Sequence, residues 1–299
     1  MTDISTNPPQ AHGITPSLGE RLGGAPLPAQ TPVVGSADVL GRLGSLTTRL
    51  ARNHEEVTRA QELRFKVFFE ERGKAPCTGA PSNRDADLFD AHCDHLLVLD
   101  GQDIVGTYRL LPGNRTARTG GFYSAQEFDL SALTANRPAT RLLELGRSCI
   151  LPAYRNKRTM ELLWGGTWAY ALSQGATRLF GCGSFEGTQP GQNRKALSLI
   201  ASSALLDDHE DCDAASAVHQ SDRFDLKELG AEPADNPRQA LRLLPPLLKG
   251  YLRLGARFAS TAVIDRAFNT TDVLVVLDVA RINPRYINHY GADASRYQS

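Results

Sequence analysis

The feature that most constrains the fold is an apolar run, RLLELGRSCIL, at residues 141–151. This run, ending at Pro152, predicts a buried strand. A charged side chain inside such a strand is costly unless it is paired or has a function. Glu144 and Arg147 are therefore candidate functional residues. In a regular strand they would lie on opposite faces, but Gly146 permits a bulge that would bring both to one side.

Helices and strands alternate on both sides of this run. Apolar residues at three- and four-residue steps predict a helix over 55–72, and further helices are predicted at 159–173, 194–206 and 246–254. A β-hairpin is predicted at 95–100 and 104–111, further strands at 177–182, 257–264 and 273–279, and a capping box of a short helix at Ser124 to Glu127. This order predicts an α/β (α+β) fold with a mixed central sheet in three layers.

The first 38 residues are rich in Pro, Gly, Ser and Thr, which predicts a disordered leader at 1–38 before a folded domain at 39–299. Lys plus Arg and Asp plus Glu both number 33, and this balance argues against a nucleic-acid partner. Five irregularly spaced cysteines indicate reduced thiols and a cytoplasmic protein without a signal peptide. The amphipathic residues 246–254 leave peripheral contact with a membrane open beside packing on the chain's own sheet.

Short motifs in the first half of the chain are shared with a known group of enzymes. They are LRFKVF at 63–68, Asp85-x-Asp87-x-Phe89-Asp90, GTYRLL at 106–111 and ELGR at 144–147. These resemble acyl-homoserine lactone synthases. A second set is ELGRSC at 144–149, LLW at 162–164, GSFEG at 183–187, LLKGYLRLGA at 247–256, and Asp265 followed by FNTTDV at 268–273. This set resembles the haemolysin-like ornithine-lipid N-acyltransferases more closely, over residues 50–290.

The resemblance implies a GNAT-like acyl-CoA N-acyltransferase fold with a C-terminal elaboration. It also implies a reaction in which a 3-hydroxyacyl group passes from acyl carrier protein to the α-amine of L-ornithine and gives lyso-ornithine lipid. The expected partners are acyl carrier protein and ornithine. The acyl donor carries its own 4′-phosphopantetheine, so no separate cofactor is expected.

An amine that attacks a thioester must first lose a proton, because an α-amine is largely protonated near neutral pH. Glu144 is the predicted general base, and the alternative is a structural ion pair with Arg147 or Arg109. The resemblance implies a polar network with Glu144, Arg147 and Arg109 as catalytic residues and with Arg64, Phe68, Asp87 and Asp90 as substrate-binding residues. Structural ion pairing that orders residues 74–91 is the open alternative.

The segment before the predicted helix at 159–173 contains Arg155, Lys157 and Arg158. In GNAT enzymes the corresponding loop is rich in glycine and wraps the pyrophosphate of coenzyme A, and that glycine pattern is absent here. The three cations therefore favour a donor with a single phosphodiester on an acidic carrier protein. A solvated basic loop is the alternative.

Two other features could suggest a metal site or a nucleophilic cysteine, and neither role is predicted. The cluster His92-Cys93-Asp94-His95 is too tightly spaced for all four side chains to reach one ion, so no metal site is predicted. Cys149 and Cys182 lie in apolar strands and are expected in the core. The alternative functions are an acyl-homoserine lactone synthase and a non-catalytic acyl-carrier or lipid-binding protein.

Overall fold

The computed structural model describes residues 39–71, 83–135, 137–189, 191–216, 218–230 and 236–282. Its strands are β1 (Val39–Leu43), β2 (Leu46–Leu50), β3 (Asp94–Asp100), β4 (Asp103–Pro112), β5 (Leu142–Ile150), β6 (Arg178–Glu186), β7 (Arg223–Asp225), β8 (Arg257–Asp265) and β9 (Thr270–Asp278). They form one sheet in the order β1-β2-β3-β4-β5-β6-β9-β8-β7. Only β5 and β6 pair in parallel within this described sheet. The predicted mixed central sheet is therefore confirmed.

The helices lie on both sides of this sheet. They are α1 (His54–Phe65), α2 (Ser131–Thr134), α3 (Lys157–Ser173), α4 (Arg194–Ser203), α5 (Lys227–Gly230), α6 (Pro237–Leu243) and α7 (Pro246–Leu254), and α1 continues as a π-helix at Lys66–Glu70. Short 3₁₀ helices include Asp90–His92, Tyr123–Gln126 and Pro152–Tyr154. Asparagine caps start α1 and α3, since the Asn53 and Asn156 side chains accept first-turn N–H groups.

Strand β3 shows why the fold has three layers. Its Leu96 and Val98 pack in the core cluster on the α3 side, whereas Leu97 and Leu99 pack in the cluster on the α1 side. Both faces of the sheet are covered, which explains the nearly continuous apolar sequence of the central strands. Helix α7 buries its apolar residues in the α3-side cluster, so it packs on its own sheet. Across the described ranges, no helix combines the length and apolar character needed to span a bilayer.

Strands β5 and β6 diverge shortly after they begin to pair. Their register covers only Leu142 to Glu144 against Arg178 to Phe180. Beyond that point β5 stays with β4, and β6 pairs along its whole length with β9. A Cβ at Gly181 would collide with the Leu145 carbonyl oxygen, so a glycine is needed where the strands part. The central sheet is therefore splayed between β5 and β6, and Glu144 lies where the two strands separate.

One hairpin was not predicted, and one local prediction is wrong. The hairpin of β1 and β2 was not predicted, because these five-residue strands are short and separated by Gly44 and Ser45. The capping box at Ser124 to Glu127 is wrong, since Phe122 is the N-cap of that turn and the Ser124 hydroxyl donates to Glu144. The predicted disordered leader at 1–38 lies outside the described residues.

Candidate active site

A bulge in β5 places Glu144 and Arg147 on the same side of the sheet. The three residues of β4 from Thr107 to Arg109 are matched by four of β5, from Cys149 to Gly146. The extra residue is accommodated at Arg147, whose φ of 54° lies in the left-handed region. Both side chains then contact Tyr123: its N–H donates to Glu144 Oε2 at 2.7 Å, and Arg147 Nη2 donates to its hydroxyl at 3.0 Å. The bulge expected from Gly146 is confirmed.

The Glu144 carboxylate is buried and well supplied with donors. It is 4% exposed. Its Oε2 accepts the Tyr123 N–H, and its Oε1 accepts the N–H and the hydroxyl of Ser124, both at 2.6 Å. Burial raises the pKa of Glu144, while the hydrogen bonds from Ser124 and Tyr123 act in the opposite direction. No ion pair links Glu144 to an arginine in the described part of the chain, so the alternative of a simple ion pair is not what holds it.

Asp90 lies between two buried guanidiniums. Arg64 of α1, 1% exposed, donates Nη1 and Nη2 to its two oxygens at 2.9 and 2.8 Å. Arg109 of β4 donates Nη1 to Asp90 Oδ1 at 3.3 Å. Burial by itself would raise the pKa of Asp90, but Arg64 and Arg109 hold it well below its usual range. Asp90 is therefore an ionised carboxylate that fixes both arginines.

Asp85 and Asp87 extend this arrangement to β5. Arg109 Nη1 donates to both oxygens of Asp87, at 2.7 and 2.6 Å. Arg147 Nε lies 3.2 Å from Asp85 Oδ2, and its Nη2 lies 3.6 Å from Asp87 Oδ2. We call this set the arginine–aspartate network: Arg64, Asp85, Asp87, Asp90, Arg109 and Arg147. It joins the five charged residues predicted to associate with Glu144, and it also fastens residues 85–90 to the sheet.

Aromatic rings cover the guanidinium of Arg147. Its central carbon lies 4.7 Å from the ring centroid of Tyr123 and 4.8 Å from that of Phe268. Phe68 meets Phe268 edge to face, with ring centroids 6.5 Å apart. Phe68, a predicted substrate-binding residue, thus reaches the site through Phe268.

Three carboxylates that the sequence analysis did not select lie beside this site. Glu127, Asp265 and Asp272, here called the acidic triad, each offer one oxygen, and these oxygens lie within 4.8 Å of one another. Burial, with the charges of Asp272 and Asp265 adding to it, raises the pKa of Glu127 to about 8. The Cys182 thiol lies 3.6 Å from Glu127 Oε2 and 3.5 Å from Ser124 Oγ. The sequence signal for Asp272 was weak, because it follows polar Thr270 and Thr271 and stands before the apolar residues 273–277 instead of among them.

The environments of Cys149, Cys182 and the cluster at 92–95 do not favour catalysis or metal binding by these residues. Burial raises the pKa of the Cys149 thiol to about 12 and that of Cys182 well above its usual value, so neither favours the nucleophilic thiolate. In the cluster at 92–95, Asp94 pairs with Arg115 at 2.9 Å. The ring of His95 instead bonds the backbone oxygen of Asp90, at 3.0 Å. These side chains are engaged with separate partners.

The three predicted carrier-binding cations surround the start of α3. Arg155 donates to both oxygens of Glu71 at 2.6 Å and to the Ile150 carbonyl oxygen at 3.0 Å. Lys157 is 87% exposed and pairs with Glu161 across one helical turn at 3.3 Å. Arg158 is exposed. Within the described residues, none of the three cations contacts the arginine–aspartate network.

Comparison with known proteins shows which proteins this chain is similar to. Residues 63–165 match the family described as Acetyltransferase (GNAT) domain. The chain is 48% identical over 272 residues to the L-ornithine N(alpha)-acyltransferase of Rhizobium meliloti (strain 1021), which covers 88% of this chain and 90% of that protein. The protein of the same name from Brucella abortus (strain 2308) is 48% identical over 271 residues, covering 88% of this chain and 95% of that protein. A solved CoA-dependent acyl-homoserine lactone synthase, MesI, is 15% identical with a TM-score of 0.43, covering 81% of this chain and 88% of that chain.

Proposed function

Since this chain belongs to the family of L-ornithine N(alpha)-acyltransferases, we propose that it transfers a 3-hydroxyacyl group to the α-amine of L-ornithine. The product is lyso-ornithine lipid, and the reaction is the first step of ornithine lipid biosynthesis. The observation that carries the proposal is the likeness to these relatives over almost their whole length. The proposal places the reaction in the cytoplasm, with peripheral contact to the membrane that receives the lipid product.

The chemistry is a direct transfer. The amine nitrogen attacks the thioester carbonyl carbon, the C–N bond forms, the C–S bond breaks, and the pantetheine sulfur leaves as a thiolate that takes up a proton from Glu144 or from water. We assign the thioester to the opening between β5 and β6 next to Glu144, because the two strands no longer pair with each other there. The proton of the amine passes to Glu144 directly or through one water, and the raised pKa of this carboxyl favours its acceptance.

The carboxylate of ornithine needs a cation, and Arg147 is the best placed of the three arginines in the network. Its side chain is 14% exposed, against 1% for Arg64 and 3% for Arg109. The rings of Tyr123 and Phe268 both pack against its guanidinium and restrict its orientation. A planar, fixed guanidinium suits carboxylate recognition. Arg64 and Arg109 then act mainly by holding the network in place.

Acyl carrier protein is the proposed donor, with the acyl group on its 4′-phosphopantetheine and no further cofactor. The exposed cations at the start of α3 support this, since they can attract a phosphodiester and an acidic carrier surface. Arg155 is engaged with Glu71, so Lys157 and Arg158 are the cleaner residues for a test. A substitution of Arg155 would also break a structural contact.

The deciding experiment is incubation of the purified protein with 3-hydroxyacyl carrier protein and a panel of amino acids, followed by mass spectrometry of the products. We expect N-acyl-ornithine as the main product, and little product when acyl-coenzyme A replaces the carrier at the same concentration. Equal turnover with acyl-coenzyme A would contradict the donor assignment. An acyl-homoserine lactone formed from adenosylmethionine, or no acylated amino acid at all, would contradict the function.

A further inference from the structure

The acidic triad brings together carboxylates from three separate parts of the fold. Glu127 follows the 3₁₀ helix at Tyr123–Gln126, Asp265 ends β8, and Asp272 lies in β9. Their closest oxygens lie within 4.8 Å of one another. Like charges at such distances in a partly buried place repel each other, and a positive group between them would relieve the repulsion.

Asp272 supplies a second observation that points to a ligand at the acidic triad. It is 5% exposed, and although a hydrogen bond with the Ser184 side chain stabilises its charged form, its Oδ1 accepts no hydrogen bond from the described part of the chain. Asp265 is held in place, because its Oδ1 accepts the N–H groups of Ala267 and Phe268 at 2.8 and 3.0 Å. A buried carboxylate oxygen without a donor is unfavourable, so a donor from a bound molecule is expected there.

The triad adjoins the residues assigned to the transfer reaction. The Cys182 thiol bridges Glu127 and Ser124, and the Ser124 hydroxyl donates to Glu144. On another side, the positive charge of Arg147 acts on both Glu127 and Asp272. The triad is therefore separated from the proposed proton acceptor by one thiol and one hydroxyl, with the proposed carboxylate-binding arginine close by.

We propose that Glu127, Asp265 and Asp272 bind the side-chain ammonium of a diamino acid substrate. This proposal rests on the proposed function and deepens it. An alkylammonium has three N–H donors, which matches one oxygen from each of three carboxylates. With its carboxylate at Arg147 and its side-chain ammonium at the acidic triad, the substrate presents its α-amine between them, near Glu144.

A divalent metal ion is the other occupant that three carboxylates can attract. Magnesium requires about six oxygen ligands in octahedral geometry, and calcium takes six to eight. The three carboxylates would fill only part of such a shell, and water would have to supply the remaining ligands. The fixed charge of Arg147 beside the group also opposes a doubly charged ion more strongly than a singly charged one. The ammonium is therefore the occupant that the arrangement favours.

The protonation of the triad supports the same assignment. Burial, strengthened by neighbouring carboxylates, raises the pKa values of Glu127 and Asp272. At neutral pH the Glu127 carboxyl therefore holds a proton that a bound cation would displace. Binding of ornithine at neutral pH should release protons to the buffer, whereas binding of an amino acid with an uncharged side chain should release fewer.

The test compares ornithine with norvaline, which has the same carbon chain but no side-chain ammonium. Glu127→Gln and Asp265→Asn are the main variants. The control is Asp103→Asn, an exposed carboxylate at the opposite end of β4 from the residue that faces Glu144. We expect kcat/KM for ornithine to fall about 100-fold or more in the triad variants, with kcat/KM for norvaline changed less than about threefold. The control should behave like the wild type.

Several outcomes would overturn the assignment. One is an equal loss for ornithine and norvaline in variants with wild-type melting temperatures, and another is no loss for either. Activity that is abolished by a chelator and restored by Mg²⁺ or Mn²⁺ would assign the triad to a metal. Calorimetry of ornithine and norvaline binding in two buffers of different ionisation enthalpy measures proton release without catalysis. It therefore tests the subsite even if the proposed acyl transfer fails.

Discussion

Replacement of Glu144 by glutamine separates a proton acceptor from a structural anchor. In the wild type, Oε2 accepts the Tyr123 N–H, and Oε1 accepts the N–H and the hydroxyl of Ser124. Glutamine keeps one oxygen and presents an NH₂ group in place of the other, which cannot accept a hydrogen bond. The Ser124 hydroxyl can rotate to become an acceptor. Whichever way the amide turns, one backbone N–H loses its partner.

The structural cost of this change can be worked out from those contacts. Loss of one hydrogen bond to a charged group costs about 1.5–3 kcal/mol. In a domain of this size each kcal/mol lowers the melting temperature by about 2–4 °C, so we expect a decrease of roughly 3–12 °C. Typical stabilities of about 5–15 kcal/mol leave the variant folded at 25 °C. If Glu144 also accepts the proton, kcat should fall by about 10²–10⁴-fold, with a smaller change in KM.

The assay measures kcat and the melting temperature on the same preparation of Glu144→Gln. A rise in pH should partly restore the activity of the variant, because more of the amine is then deprotonated without help. Thr167→Val is a matched control: it removes a buried hydroxyl that donates to Leu163 O at 2.9 Å in α3, away from the site, and should lower stability without lowering kcat. A destabilised Glu144→Gln protein with wild-type kcat at neutral pH would refute the general-base role.

Three further predictions concern charge. Asp90→Asn removes the shared partner of two buried guanidiniums, so we expect the free energy of unfolding, measured with urea at pH 7, to fall by about 3–5 kcal/mol. Because the pKa of Asp90 is held low, this difference from the wild type should be present above about pH 4 and should shrink as the pH falls further. A difference that does not change with pH would contradict the ion pairing. Reversing Lys157 and Arg158 to glutamate should raise KM for acyl carrier protein and weaken its salt dependence, whereas reversing exposed Arg42 should do neither. Burial raises the pKa of Glu127 from 4.5 to about 8, so its folded state holds the proton more tightly than the unfolded state. The melting temperature of Glu127→Gln relative to wild type should therefore increase as the pH rises from about 5 to 8, and a flat difference would contradict the burial of this carboxylate.

Elements of the fold whose conformation depends on neighbouring residues could be predicted from the sequence. The apolar run with Glu144 and Arg147 predicted both the buried strand β5 and, through Gly146, its bulge, because backbone conformation at such a position depends on a few neighbouring residues. The helices α1 and α3 follow from their apolar patterns in the same way. Weak local signals failed, as the hairpin of β1 and β2 shows: β2 is stabilised by pairing with β3, and β1 by pairing with β2, rather than by their own sequence.

For the site, the sequence by itself selected single residues, whereas the tertiary structure decided their partners. A charge within an apolar pattern is conspicuous, which is why Arg64, Arg109 and Glu144 were found, and the resemblance to known families added Asp87 and Asp90. The acidic triad was missed because Glu127 lies more than 130 residues before Asp265 and Asp272 in the chain. Its role depends on sheet order: β6 pairs with β9, which brings Asp272 opposite Ser184 and near Cys182. Long-range pairing of this kind depends on the free energy of the whole fold, and no local segment encodes it.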